Sequence, residues 1–316
     1  MIFGPVPSRR LGFSLGVNNI PPKECSYTCV YCQLGNTLKL SHIRKEYYST
    51  EQIVNAVKEH IAKLGDSVKI DYITFVPDGE PTLDINLGRT ISALKNLGIP
   101  IAVITNSSLI DIEEVRNELS AADWVSVKVD AVDKQIWHEV DRPHGSLDLD
   151  KILNGLLEFS GRFKGKLVTE TMLVKGINDT EKNFSQVSAF IKKFNPDKAY
   201  ITIPTRPPAV GSVLPPDITA LNNAYQIFKE NNLDVELITG YEGNAFSSTG
   251  DFAEDLLNIT AVHPMREEAV IELMKKENSD EEVLNKLLKS NRLIKSKYNG
   301  KTYYLRNLKF ERANSQ

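Results

Sequence analysis

Thiols are scarce in this chain: it has three cysteines in 316 residues, all between Cys25 and Cys32. With no distant thiol to pair with, a secreted disulfide framework is excluded, and a reducing cytoplasm is the expected compartment. No run of about 18 apolar residues is present, so no membrane-spanning helix is expected. The opening Met1-Ile-Phe-Gly-Pro-Val-Pro lacks the charged and apolar regions of a signal peptide. An excess of one charge is missing as well. The formal net charge of −3 predicts no global attraction to nucleic acid or anionic lipid, so any such affinity must be local. Histidines are few, and His42, His60, His138, His144 and His263 show no metal-ligand spacing among themselves, so they read as structural. What remains, 41% hydrophobic and 25% charged, is ordinary globular composition. It suffices for one large α/β domain with a small appendage.

The three thiols stand in Cys25-Ser-Tyr-Thr-Cys29-Val-Tyr-Cys32, spaced C-x3-C-x2-C. Thiols this close converge on one inorganic centre at little loop-closure cost. Three is an informative number, because a closed zinc site takes four protein ligands and so does a ferredoxin-type cubane. A cubane held by three leaves one iron open to a small chelating molecule. The loop alone also admits a zinc knuckle completed by His42, or three ordinary buried thiols. A second cluster of polar groups, Asp78-Gly79-Glu80-Pro81, follows an apolar run at 70–76. A cation with three donors needs clustered acceptors at a defined angle, and Pro81 would fix the bend. In isolation the same residues are an ordinary exposed turn.

Apolar runs at 11–17, 70–76, 100–105, 124–130, 166–174 and 198–204 alternate with helical periodicity, including 111–120, 148–160 and 180–194. The first helix is expected to be capped by Thr50 and to carry Ile53, Val54, Val57, Ile61 and Leu64 on one face. Near-continuous apolar strands separated by helices predict a parallel sheet covered by helices, in six β/α units. Residues 1–10, with Pro5 and Pro7, read as a rigid lead-in without regular structure. A helix at 217–231 and a strand at 235–238 follow the sixth unit, and a turn-rich stretch at 240–252 is expected to close over one end.

From about residue 259 the character changes. Pro264 opens a helix at 265–277, Ser279 caps another at 280–290, and 292–306 reads as a hairpin turning at Asn299-Gly300. Between Lys286 and Arg306 lie seven Lys/Arg and no Asp or Glu, with Tyr298, Tyr303 and Tyr304 interleaved. That composition suits phosphate and base contacts, which makes RNA a candidate partner. The plainer reading is a solvated hairpin against the larger domain.

The cysteine spacing, with Tyr31 just before the last cysteine, resembles the radical S-adenosylmethionine (SAM) superfamily, and the Gly-Glu-Pro motif at 79–81 strengthens the likeness. The resemblance implies a (β/α)6 partial TIM barrel over 1–258, to which we add a winged-helix-like α+β module over 259–316. It implies a [4Fe-4S] cluster on Cys25, Cys29 and Cys32, with SAM on the fourth iron and a flavodoxin or ferredoxin as electron donor. Asp78, Gly79, Glu80 and Pro81 would accept the SAM ammonium, with Asp78 standing where many members have glycine. Tyr31 would pack near adenine.

Softer expectations concern the strand ends. Asn106 and Ser107 are candidates for ribose or carboxylate contacts, or for a helix cap. Lys128 and Asp130 alternate onto one face, Lys128 toward the SAM carboxylate, the substrate, or an ion pair with Asp130 or Glu170. Arg142, in Val140-Asp-Arg-Pro143, is expected to contact substrate, and with Lys128 it is a candidate catalytic residue. Inward members of 169–172 would line the SAM site. The stretches 3–12 and 29–35 are similar to proteins grouped with the tRNA wyosine-synthesis enzyme. This chain has no further cysteines for a second cluster, so it reads as a single-cluster relative whose substrate is open, RNA modification included. The competing class is a non-catalytic iron–sulfur or zinc nucleic-acid-binding regulator, which would need no acceptor cluster at 78–81.

Overall fold

A computed structural model describes residues 1–65, 68–76, 78–240 and 250–307. Most of the turn-rich stretch expected to close one end lies outside the described residues. One sheet organises the larger part. Its strands are β1 (Ile2–Ser8), β2 (Gly12–Val17), β3 (Tyr72–Phe75), β4 (Ile101–Thr105), β5 (Trp124–Lys128), β6 (Lys166–Met172), β7 (Lys198–Thr202) and β8 (Val235–Ile238), side by side in chain order. Strands β2 to β8 are parallel, as the apolar runs predict, and β1 pairs antiparallel with β2. The fold is α/β, with helices in the crossovers. The sheet curls: Arg10, at the turn between β1 and β2, reaches Glu170 on β6. Below that contact Leu11, Ala102, Trp124, Val168, Tyr200 and Ile238, drawn from both ends of the sheet, form one apolar cluster.

Residues 2–8 overturn the expectation of an irregular lead-in. Prolines are admitted because β1 is an edge strand whose register shifts between Phe3 and Val6, so Pro5 and Pro7 interrupt no central ladder. The first helix, α1 (Thr50–Leu64), is capped by Ser49 rather than Thr50, in a reciprocal box with Gln52.

The C-terminal part runs α2 (Phe252–Val262), β9 (Met265–Arg266), α3 (Glu267–Lys276), α4 (Glu281–Lys289), β10 (Leu293–Tyr298) and β11 (Lys301–Arg306), with strand order β9-β11-β10. The helix at 252–262 was not expected, and it straddles residue 259. Its Phe252, Leu256 and Leu257 pack with Met265, Leu273 and Leu287 in the C-terminal core. Pro264 precedes a short strand instead of opening a helix, and Asp280, not Ser279, caps α4 with its carboxylate on two backbone N–H groups.

The basic, aromatic face read from the sequence is not what the hairpin presents. Tyr298, Tyr303 and Tyr304 are buried. Tyr298 donates to Pro204 O at 3.1 Å and Tyr303 to Thr205 O at 2.9 Å, so their rings are unavailable for base stacking. Lys295 and Lys301 pair with Glu267 and Glu268 of α3, and Lys286 with Glu282. Both faces of the hairpin are covered, Tyr303 by Thr205 and Tyr304 by the C-terminal core, and helix carboxylates the segment itself lacks answer part of its charge.

Candidate functional site

The cysteine loop leaves β2 and the Asp78-Gly79 bend leaves β3, so both stand at the carboxyl ends of neighbouring parallel strands, where α/β folds place their sites. They line one cavity of about 290 Å³ together with Arg10, Lys23, Tyr31, Lys128 and Glu170. The cysteines are free thiols, all three on that wall. Burial and the nearby Glu80 charge push Cys25 up to about 12, and burial and Asp141 push Cys29 well above the usual thiol range. Such thiols give up their protons to a bound metal rather than to water. Each has a polar neighbour: Asn106 Nδ2 donates to Cys25 Sγ at 3.5 Å, Cys29 lies 3.4 Å from Asp141 Oδ1, and Lys23 Nζ donates to Cys32 Sγ at 3.4 Å. Among the described residues no three His, Cys, Asp or Glu close on a single ion. A soft, three-thiol donor set of this kind fits a cubane with one open iron.

Gly79 shows why the bend takes its shape. A Cβ there would lie 1.8 Å from the backbone oxygen of Glu24, so only glycine lets this strand end pass under the cysteine loop. Asp78 is buried and pushed up to about 7 by burial; its Oδ1 has no hydrogen-bond partner among the described residues, and the residue borders both this cavity and a second one that holds Asn18 and Arg306, two of the groups acting on its carboxyl.

Glu80 corrects the sequence expectation. It is fully buried and does not line the cavity. Its Oε1 accepts from Thr82 N (3.0 Å), Thr82 Oγ1 (2.7 Å) and Thr105 Oγ1 (2.7 Å), and its Oε2 from Asn106 N (2.7 Å). The carboxylate ties β3 to β4 and stands behind the cavity wall, out of reach of a ligand ammonium. Pro81 is buried in the one-turn helix that follows.

Asn106 and Ser107 are likewise turned away from the main cavity. Asn106 braces Cys25 and donates to Ser26 Oγ, and Ser107 Oγ accepts from Lys128 N. Asp130 stands behind Tyr31, whose hydroxyl donates to Asp130 Oδ2 and lies 3.1 Å from Asp141 Oδ1. A phenol has one proton. Burial and the Asp130 charge push Asp141 well above the usual carboxylate range.

Lys128 lines the cavity with its Nζ 3.0 Å from Glu170, 3.7 Å from Asp130 and 5.0 Å from the Tyr31 ring centre. Burial alone would neutralise it, but Asp130 and Glu170 prevail and hold it above the ordinary lysine value. Lys128 is therefore a fixed charge, not a base. Arg142 is not brought to the site. It is exposed, in a left-handed conformation (φ 46°), and borders a separate groove with Glu139 and Lys175. The alternation expected along 169–172 holds, with Glu170 and Met172 lining the cavity and Thr169 and Thr171 buried outside it.

Sequence reasoning missed Lys23, Arg10 and Arg206. Arg206 donates to Gln33 Oε1 and His263 Nε2, both at 2.9 Å, joining the cysteine loop to the C-terminal part across the cavity mouth. Burial and Arg206 hold His263 far below the usual imidazole range, as an acceptor needs. Nothing in the local pattern of these residues marks them; adjacency to the cysteines was the one available cue for Lys23.

Glu170 gives a pH test. Burial would raise its carboxyl, but Lys128 and Arg10 hold it down at about 2 against an ordinary 4.5. Its pairing therefore stabilises the fold above pH about 5 and is lost as pH falls toward 2, up to about 3 kcal/mol in all. The difference in unfolding free energy between wild type and Glu170→Gln should shrink over that interval. A constant difference from pH 6 to 2 would mean the carboxylate titrates normally.

A sequence profile described as the Radical SAM superfamily matches residues 19–186. A UPF0026 protein of Methanocaldococcus jannaschii is 49% identical over 309 residues, 97% of this chain and 96% of its own length. A UPF0026 protein of Helicobacter pylori is 36% identical over 210 residues, 66% of this chain and 67% of its own length. Among solved structures, Streptococcus suis SuiB bound to S-adenosylmethionine aligns with a TM-score of 0.53 at 13% identity. That alignment covers 72% of this chain and 50% of SuiB, and the likeness is one of fold. No helix among the described residues is long and apolar enough to cross a membrane.

Proposed function

The chain belongs to the radical SAM superfamily of enzymes, and on that premise we propose that Cys25, Cys29 and Cys32 hold a [4Fe-4S] cluster beside which SAM is reductively cleaved. When bound, the cluster supplies one electron, received from a flavodoxin- or ferredoxin-class donor, which breaks the C5′–sulfur bond of SAM into methionine and a 5′-deoxyadenosyl radical. The chain's own contribution is arrangement. The Asp78-Gly79 strand end, which lines the cavity beside the cysteines, would meet the ammonium group of SAM. Tyr31 presents a ring whose hydroxyl is already engaged with Asp130, so it packs against a ligand without competing for its protons. Lys128, Glu170 and Arg10 make a charged wall suited to orienting a polar substrate; they move no proton. Asn106, Ser107 and Asp130 act as positioning residues, holding Cys25, Lys128 and Tyr31 respectively, while Glu80 holds Asn106 and Pro81 shapes the turn behind them. Arg142 has no part in this reading.

The single observation that carries it is the convergence of three cysteines and the glycine-dependent bend on one cavity. We further read residues 252–307 as a winged-helix-like unit that braces the cavity-lining Pro204, Thr205 and Arg206 through Tyr298, Tyr303 and His263. RNA stays a proposed substrate class only through regions other than the tyrosines. A cytoplasmic setting suits three unpaired thiols. The test is anaerobic reconstitution with iron and sulfide, then dithionite and SAM, with 5′-deoxyadenosine read by chromatography. Its formation is expected; its absence from protein carrying a complete cubane would favour the non-catalytic class.

A further inference from the structure

Lys23 stands out among the groups around the cysteines. It is 3% exposed and held in a left-handed conformation (φ 61°) that non-glycine residues adopt rarely. Its backbone is fastened on both sides: Lys23 N donates to Asp78 O at 2.9 Å, and Lys23 O accepts from Leu38 N and Lys39 N at 3.0 and 3.1 Å. This brings Nζ to 3.4 Å from Cys32 Sγ and 2.6 Å from Gly35 O. Of the other two sulfurs, Cys25 faces an amide and Cys29 a carboxyl group. A strained backbone that delivers a buried cation to one sulfur is unusual for a residue that merely packs.

We propose that Lys23 tunes the reduction potential of the iron–sulfur site, its ammonium favouring the reduced form through Cys32. The proposal rests on the reading that the three cysteines carry a [4Fe-4S] cluster. The step it biases is the addition of one electron, from an external donor of the flavodoxin or ferredoxin class, to the oxidised cluster. No bond to the protein forms or breaks, and the step itself transfers no proton. Added negative charge is stabilised by a fixed positive charge and a hydrogen bond at a ligand sulfur, so both raise the potential. The amide on Cys25 supplies a hydrogen bond without charge, which makes Cys32 the sulfur where the electrostatic contribution concentrates.

The experiment compares full-length wild type with Lys23→Met, Lys23→Gln and Lys23→Arg after anaerobic reconstitution. It measures iron and sulfide content and follows the reduced-cluster electron-spin resonance signal through a redox titration. Lys23→Met and Lys23→Gln should keep their iron yet show at least a tenfold lower reduced-to-oxidised ratio at fixed potential, a shift of about 59 mV to the negative for a one-electron couple. Lys23→Arg, which keeps the charge, should recover most of it. Unchanged potentials in iron-replete Lys23→Met and Lys23→Gln overturn the proposal. So does loss of iron from both, since Lys23 would then serve only to hold the loop at Gly35. Wild type lacking the cluster signal would instead overturn the cysteine assignment itself, before any variant is compared.

Discussion

Alanine at any one of Cys25, Cys29 or Cys32 is expected to take reconstituted protein from about four irons per chain to almost none, and SAM cleavage to background. The effect should be close to all-or-none because the site has no spare ligand: every cysteine in the chain is in this loop, and the five histidines lie elsewhere in the sequence. The fold should survive. The large core beneath the sheet is built from residues such as Leu15, Phe75, Val103, Val127 and Leu156, with Cys25 and Cys29 only partly buried against its edge. Cys25→Ala also frees the Asn106 amide from sulfur, but that amide retains Ser26 Oγ at 2.9 Å. Iron and acid-labile sulfide, thermal unfolding and 5′-deoxyadenosine should be measured on the same samples. Full iron content in any single variant would mean the three thiols do not form one site. Zinc in place of iron in wild type purified without oxygen would point to the regulator.

Glu80→Ala should cost about 4 kcal/mol of stability, roughly 8 °C in Tm for a chain of this size, and lower iron content along with SAM binding. The carboxylate accepts four hydrogen bonds in a fully buried place, and truncation leaves the Thr82 and Asn106 amides and the Thr105 hydroxyl without it. The loss should travel to the cluster because Asn106, held by Glu80 through its backbone, is the residue whose amide meets Cys25 Sγ. Glu80→Gln should be milder, since one oxygen remains for Thr82 and Thr105 while the new amide opposes the Asn106 N–H. A ligand-contact role makes the opposite forecast: ordinary Tm, ordinary iron and weakened SAM binding alone. Differential scanning calorimetry with iron analysis separates the two.

Much of the site was readable before any coordinates because its parts are contiguous. Three thiols within eight positions need no tertiary knowledge to be joined, and Asp78-Gly79 announces a bend wherever it falls at the end of an apolar run. The parallel sheet was equally legible, since strands covered on both faces leave unbroken apolar runs such as Pro100-Ile-Ala-Val-Ile-Thr. Edge strands leave no such trace, and β1, with two prolines and a register shift, passed for irregular chain.

Direction was another matter. Glu80 and Asp78 are two residues apart, yet one is spent on Thr82, Thr105 and Asn106 while the other borders the cavity, because the register of β3 against β4 decides which donors each meets. Arg142 and the three hairpin tyrosines had the right chemistry and the wrong side. Arg10 met Glu170 across 160 residues, a pairing that exists only because the sheet curls. Lys23 reached Cys32 only through a left-handed backbone held by Asp78 and Leu38. The chain's sequence by itself determined which groups are present and which of them lie close along the backbone. The tertiary structure alone decided which of those groups face the cavity and which are consumed inside the protein, since a buried polar group takes whatever partners the packing of neighbouring strands brings within reach.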